Sequence, residues 1–171
     1  MADYDKPAED DIRRCLSYDP ETGTLTWRVT LSSTGKVGSI AGCLNALGYR
    51  VIRVNRKLYL GHRIAWLLHH GEWPERDIDH INMDKGDNRL VNLRLATRSQ
   101  NVANSSSRMK LPKGCYQLKG RKRWYSQICV NGVVNRLGTF DTVEEAAAAF
   151  KRAHMMAHGA FSYCEVNHER I

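Results

Sequence analysis

The chain has 171 residues, enough for one ordinary domain or two small ones, and its 42% hydrophobic content supports a packed core. No apolar run approaches the about 20 residues needed to span a bilayer, and the acidic start Met1-Ala2-Asp3-Tyr4-Asp5 lacks the apolar stretch of a secretory signal, so a cytoplasmic, membrane-free protein is expected. A formal net charge of +8 and a pI near 9.4 favour a polyanionic partner; residues 1 to 11 are acidic, whereas 50 to 63 and 108 to 123 are strongly basic.

Along the chain, residues 7 to 17 read as a short helix with Pro7 near its start and Ile12 and Leu16 on one face. Asp19-Pro20-Glu21-Thr22-Gly23 is a turn signal. Leu25, Trp27 and Val29 then alternate with Thr26 and Arg28 as in a strand. Gly35, Gly38, Gly42 and Gly48 punctuate the next stretch. Residues 49–54 and 57–60 suit a hairpin around Asn55-Arg56, and 62–70 suit a helix stopped by Gly71. Residues 77–97 form a strand-loop-strand candidate. A helix follows from Arg98, where Thr97 and Gln100 have capping-box spacing. Residues 104–113 are polar and basic and begin with serines, as in a linker.

Residues 114–163 make a self-contained pattern. Three short strands are separated by Lys119-Gly120-Arg121-Lys122 and by Asn131-Gly132, the latter a strong hairpin signal. A helix starts after Thr142, capped with Glu145, and runs through Ala146–Ala149 to Phe150, Ala153 and Met156. The five cysteines, Cys15, Cys43, Cys115, Cys129 and Cys164, are widely spaced with no C-x-x-C pair. They read as reduced thiols acting as small core residues, not as disulfides or a four-cysteine zinc site.

The chemistry concentrates in Asp79-His80-Ile81, Asp87-Asn88-Arg89, Asn92-Leu93 and Thr97-Arg98-Ser99-Gln100-Asn101. Phosphodiester hydrolysis needs a base to deprotonate water and a hard cation to neutralise the leaving 3′ oxygen. Histidine supplies the first near neutral pH. Asp and Asn oxygens suit the second. Successive strand residues point to opposite sides, so Asp79 and His80 serve separate tasks only where the strand bends or ends; the turn-prone residues 82–88 provide such an end.

These residues, with His62-Arg63 before them, resemble the HNH nuclease family, closest to the homing-type members of phages and introns, over about residues 58 to 104. The resemblance implies a ββα-metal core, a DNA endonuclease activity leaving 3′-hydroxyl and 5′-phosphate ends, and Asp79 and Asn101 as ligands of one divalent ion, magnesium with manganese as a substitute. It implies His80 as general base and Asn92 as the structural middle letter of the motif, counted with the catalytic residues. The usual Asp-Gly after the histidine is replaced by Asn82-Met83-Asp84-Lys85-Gly86. His62 reads as a structural histidine bonded to the core loop in preference to a DNA contact. His69 and His70 read as helix-end residues, and the spacing of His62, His69, His70 and His80 matches no zinc site.

Lys113-Gly114, Arg123-Trp124, Asn131-Gly132, Leu137-Gly138-Thr139-Phe140, Glu144-Glu145-Ala146-Ala147 and His158-Gly159 resemble the plant-type APETALA2 DNA-binding domain over residues 112 to 161. That resemblance implies a sheet laid in the major groove. Strand alternation places Trp124, Ser126, Ile128 and Val130 toward the helix and Arg123, Tyr125, Gln127 and Cys129 toward DNA, joined by Tyr116 and Arg136. Lys113, Lys119, Arg121 and Lys122 suit phosphates. Arg50 and Arg53, with Arg56 and Lys57, are further backbone-contact candidates. Tyr116 and Cys129 stand where plant relatives usually carry arginines, which implies a different target sequence.

The resulting expectation is an α+β chain. An N-terminal β-hairpin and helix region leads into the HNH core over residues 1–104. A linker spans 105–111. A three-stranded antiparallel sheet with one packed helix fills 112–171. The expected partner is double-stranded DNA, engaged by a monomer without a small-molecule cofactor, in the host cytoplasm if phage-encoded. The alternatives are a DNA-binding regulator with a degenerate HNH unit and an RNA-binding module using Tyr116 and Tyr125.

Overall fold

A computed structural model describes residues 9–31, 35–105, 111–118 and 120–162. Pro7, Cys164, Lys119 and the linker residues 106–110 lie outside the described residues. The chain divides into two compact units, Met1–Leu95 and Ala96–Ile171.

In the first unit the opening helix α1 spans Glu9–Cys15 and stops earlier than the expected 7–17. Leu16–Tyr18 instead form strand β1, paired antiparallel with β2, Leu25–Trp27. Tertiary pairing overrides helical propensity here: Leu16 and Trp27 are buried opposite one another, and the Ser17 and Thr26 hydroxyls bond at 2.7 Å on the other face. The connecting turn closes through Asp19, whose carboxylate accepts from Glu21 N–H and the Thr22 hydroxyl. These bonds hold the Asp19 carboxyl below its usual pKa.

The expected hairpin is β4, Arg50–Val54, with β5, Lys57–Leu60, turning through positive φ at Asn55 (46°) and Arg56 (67°). A short strand β3, Cys43–Leu44, adds to β4 on its other edge, which the glycine-rich pattern had not revealed. Helix α2 spans Gly61–His70 and ends on Gly71 at φ 87°, with its N–H returned to Leu67. Ile12, Leu16, Leu25, Trp27, Ile52, Val54, Ile64 and Leu67 form the core. Ala65, Ile78 and Leu93 form a smaller cluster, and Tyr18 packs against both. Strand β6, Asp77–His80, pairs with β7, Leu93–Ala96, and a single 3-10 turn, Leu90–Asn92, precedes β7.

In the second unit α3, Arg98–Ala103, begins with both bonds of the Thr97/Gln100 capping box. Strands β8 (Cys115–Gln117), β9 (Trp124–Val130) and β10 (Val133–Phe140) form an antiparallel sheet ordered β10-β9-β8. Asn131 and Gly132 turn at φ 50° and 82°, as their hairpin signal requires. Helix α4, Val143–His158, packs on the sheet and carries the Thr142/Glu145 capping box. Cys15 and Cys115 are buried; Cys43 is an exposed free thiol, which corrects its reading as a core residue, and Cys129 is exposed on the outward face of its strand. No helix among the described residues is long and apolar enough to cross a membrane.

Candidate active site

Strand β6 is buried on both faces at Ile78, Asp79 and His80 and ends at His80. The chain then reverses through Met83 at φ 63°, whose N–H bonds to the His80 carbonyl. This is the strand end that separate roles for Asp79 and His80 require.

Asn92 holds the following loop. Its Oδ1 accepts from Asn82 N–H at 2.9 Å, and its Nδ2 donates to the Asp87 carbonyl at 2.8 Å. Its backbone carbonyl accepts from Ile81 N–H. Asp87 adds bonds from Asn82 Nδ2 and the Arg89 guanidinium, which hold its carboxyl below the usual range.

His80 is 5% exposed. Its Nε2 lies 3.3 Å from Asn88 Oδ1. This contact ties one ring nitrogen to the Asn88 amide and so orients the imidazole. Burial lowers the His80 pKa against the opposing pull of Asn88, Asp79, Asp84 and Asp87, which favours the neutral ring.

Asn88 is itself fixed. It is 1% exposed, and its carbonyl accepts from the Tyr18 hydroxyl at 2.8 Å. Burial and the nearby Asp19 and Asp87 raise the Tyr18 pKa to about 12, so this donor stays protonated. Gly23 presses on the same backbone: a Cβ there would meet Arg89 N at 2.4 Å and Asn88 C at 2.6 Å. Leu90 N–H bonds to the Pro20 carbonyl. The N-terminal turn thus buttresses the residue that orients the histidine.

His62, at the start of α2, does not make the loop hydrogen bond expected of it through Nδ1, which is buried without a partner. It meets the His80 ring edge-on at 5.0 Å between centroids and the Tyr49 ring at 5.5 Å. Burial, then His80 and Arg63, lower its pKa to about 3. Tyr49 also contacts His80 at 6.0 Å and carries the Lys85 ammonium 4.9 Å above its ring.

Asp79 is 4% exposed, and its Oδ2 receives the Arg94 guanidinium from β7, at 2.8 Å from Nε and 2.7 Å from Nη2. The fold therefore already places positive charge on this carboxylate. A carboxylate and an amide oxygen match a hard divalent ion. Among the described residues no group of three or more His, Cys, Asp or Glu is placed to share a metal. Asp79, His80, Asn88 and Asn92 lie in the first unit and Asn101, on α3, in the second.

In the second unit, Tyr116 and Tyr125 stack at 5.2 Å and 21°, and the Arg136 guanidinium lies 4.8 Å over Tyr125. These three share the sheet face opposite the buried Ser126 and Ile128. Cys129 is exposed on the same strand; Gln127 is half-buried and lines a cavity of about 500 Å³ with Val102, Phe150 and His154. Arg121 and Lys122 are exposed, while Arg123 pairs with Asp141 at 3.0 Å. Arg53 is exposed, but Arg50 donates to the Ala41 and Gly42 carbonyls. Lys113 is likewise engaged within the protein: its Nζ donates to the Val102, Ala103 and Ser105 carbonyls.

Sequence reasoning quoted Asn88, Gly23 and Lys85 without a site role and passed over Tyr18, Tyr49 and Arg94. Asn88 and Lys85 had a signal, their place between His80 and Asn92.

Residues 59–103 match the family model described as HNH endonuclease. No curated protein and no solved structure matches the chain. The family match supports nuclease activity, DNA as substrate and use of a divalent metal ion.

Proposed function

We propose that this chain is a homing-type HNH endonuclease: His80 acts as general base, Asp79 and Asn101 hold one divalent ion, and the β8–β10 sheet reads DNA in the APETALA2 manner. The setting of His80 carries the reading. A buried imidazole with a lowered pKa stands at a strand end, and the Asn88 amide lies 3.3 Å from its Nε2. The loop that follows is tied down by Asn92. The imidazole takes the proton from a water as that water attacks phosphorus. When bound, a hard divalent ion, magnesium with manganese as a substitute, neutralises charge on the leaving 3′ oxygen. Arg121, Lys122 and Arg53 contact the backbone, and Tyr116, Tyr125 and Arg136 present a stacked surface to base edges.

One observation favours a rival reading, a non-catalytic DNA-binding regulator: the Arg94 fork occupies Asp79 Oδ2. Incubation of supercoiled plasmid with the full chain separates the two. Cleavage with Mg2+, none with EDTA, and a loss of about 10²-fold or more in His80→Ala with duplex binding kept is expected. Absence of metal-dependent cleavage leaves the regulator, and full activity of His80→Ala removes His80 from the chemistry.

A further inference from the structure

Helix α3 is short, and its end is closed partly by the chain that follows: Asn104 N–H bonds to the Gln100 carbonyl, and Ser105 N–H and Oγ bond to the Val102 carbonyl. One ammonium joins the last carbonyls of the helix to Ser105 beyond it. Lys113 Nζ lies 3.0 Å from the Val102 carbonyl, 2.9 Å from Ala103, 2.7 Å from Ser105 and 3.3 Å from the Ser105 hydroxyl. A cation at a helix C-terminus is favoured by the dipole as well as by these bonds. The lysine is half-buried, immediately before Gly114, where any Cβ would strike the Phe150 ring at 2.1 Å. Its stem is therefore anchored where the chain enters the β8 sheet, and its head closes the helix that carries Asn101.

We infer that Lys113 is a positioning residue for the nuclease: it clamps the C-terminal end of α3, holding Asn101 in place, and is not a phosphate contact. This rests on the proposed role of Asn101. An ammonium with three N–H groups matches three carbonyls, and a head so occupied has little left for a phosphate. The first residues of the sheet domain thus finish a helix of the nuclease motif, which links the two functions by a single side chain.

The test uses the full chain. Mn2+ binding is measured by calorimetry in wild type, Asn101→Ala, Lys113→Met and Lys113→Arg. Duplex affinity is measured against salt, and amide exchange is followed over residues 98–105. Lys113→Met is expected to weaken Mn2+ binding about tenfold, as loss of an outer support of a metal ligand does. It is expected to speed exchange at the end of α3 and to leave duplex affinity and its salt slope unchanged. Lys113→Arg, which keeps a multi-donor cation, recovers a large part of both losses. A salt slope reduced by about 1 with unaltered exchange would make Lys113 a phosphate contact and overturn the inference, as would unchanged exchange and Mn2+ affinity. If Lys113→Met does not fold, Lys113→Arg decides alone: any loss must appear in Mn2+ affinity and α3 exchange, and a loss in duplex affinity alone overturns the inference. If Asn101→Ala binds Mn2+ as wild type does, the Asn101 assignment fails, while the exchange measurement still decides the clamp.

Discussion

Replacing Asn92 by alanine separates a residue that shapes the site from one that reacts in it. Asn92 is 5% exposed and makes one bond at each end of its amide, to Asn82 N–H at 2.9 Å and to the Asp87 carbonyl at 2.8 Å. Truncation removes both and leaves two part-buried backbone groups without their partner. Each such loss costs about 1–2 kcal/mol, so about 2–4 kcal/mol is expected in urea unfolding. The backbone bond from Ile81 N–H to the Asn92 carbonyl survives the substitution. Strand pairing therefore persists while the 82–87 loop loosens beside His80. A displacement of about 1 Å at a reacting group costs about 10²-fold in rate, so single-turnover cleavage should fall by that factor with duplex affinity unchanged. Asn92→Asp keeps the acceptor for Asn82 N–H but faces the Asp87 carbonyl with an oxygen, and should fall between alanine and wild type in stability. A change below about 0.5 kcal/mol together with undiminished cleavage would refute the clamp.

Three further outcomes follow. Gly23→Ala, at φ 72° and against Asn88 and Arg89 backbone, should lower thermal stability by more than 1 kcal/mol, the cost of positive φ alone being about that size. It should also slow cleavage, although Gly23 belongs to the β1–β2 turn; wild-type cleavage in a folded Gly23→Ala chain would cut the Asn88 support out of the account. Arg94→Met removes the guanidinium from the Asp79 carboxylate, 4% exposed, and should cost about 3–5 kcal/mol. Millimolar Mg2+ should recover part of that loss in urea melts, and no recovery would argue against a cation at Asp79. His154 is 3% exposed, bonds Ser162 Oγ at 2.7 Å, and has its pKa lowered to about 4, chiefly by burial. The unfolded chain binds the extra proton first, so this stability is present above about pH 6.5 and is lost as pH falls toward 4. The loss reaches about 3 kcal/mol at most. His154→Gln should flatten stability over that window, measured by urea unfolding at pH 4.5 and 7.

Local chemistry was legible in the sequence. Thr97 with Gln100 and Thr142 with Glu145 specify their helix starts because the bonds lie within one turn. Asn131-Gly132 and Gly71 name their own backbone conformations. Alternation along β9 placed Ser126 and Ile128 inside because a sheet with one covered face has a period of 2. The order of Asp79, His80, Asn88 and Asn92 marked one loop, since these residues are close enough in sequence for their bonds to be short-range.

What stayed hidden depends on distance along the chain. Leu16-Ser17-Tyr18 has no mark against continuing α1; only its pairing with Leu25–Trp27 makes it a strand. Tyr18 reaches Asn88 across 70 positions, and the glycine that must be small at position 23 reads only as a turn until Asn88 is seen beside it. Charge alone does not show which partners a cation has within the protein. Arg50, Arg123 and Lys113, read as DNA contacts from their basic stretches, also have partners in the fold: Arg50 donates to the Ala41 and Gly42 carbonyls, Arg123 pairs with Asp141, and Lys113 donates to the Val102 and Ala103 carbonyls. A surplus of +8 favours a polyanionic partner but does not say which cations meet it, because a helix end or an unpaired carbonyl competes for the same groups as a phosphate. Among the described residues Arg53, Arg121 and Lys122 are exposed and Arg136 lies over the Tyr125 ring, so it is on these cations that the proposed DNA contact rests.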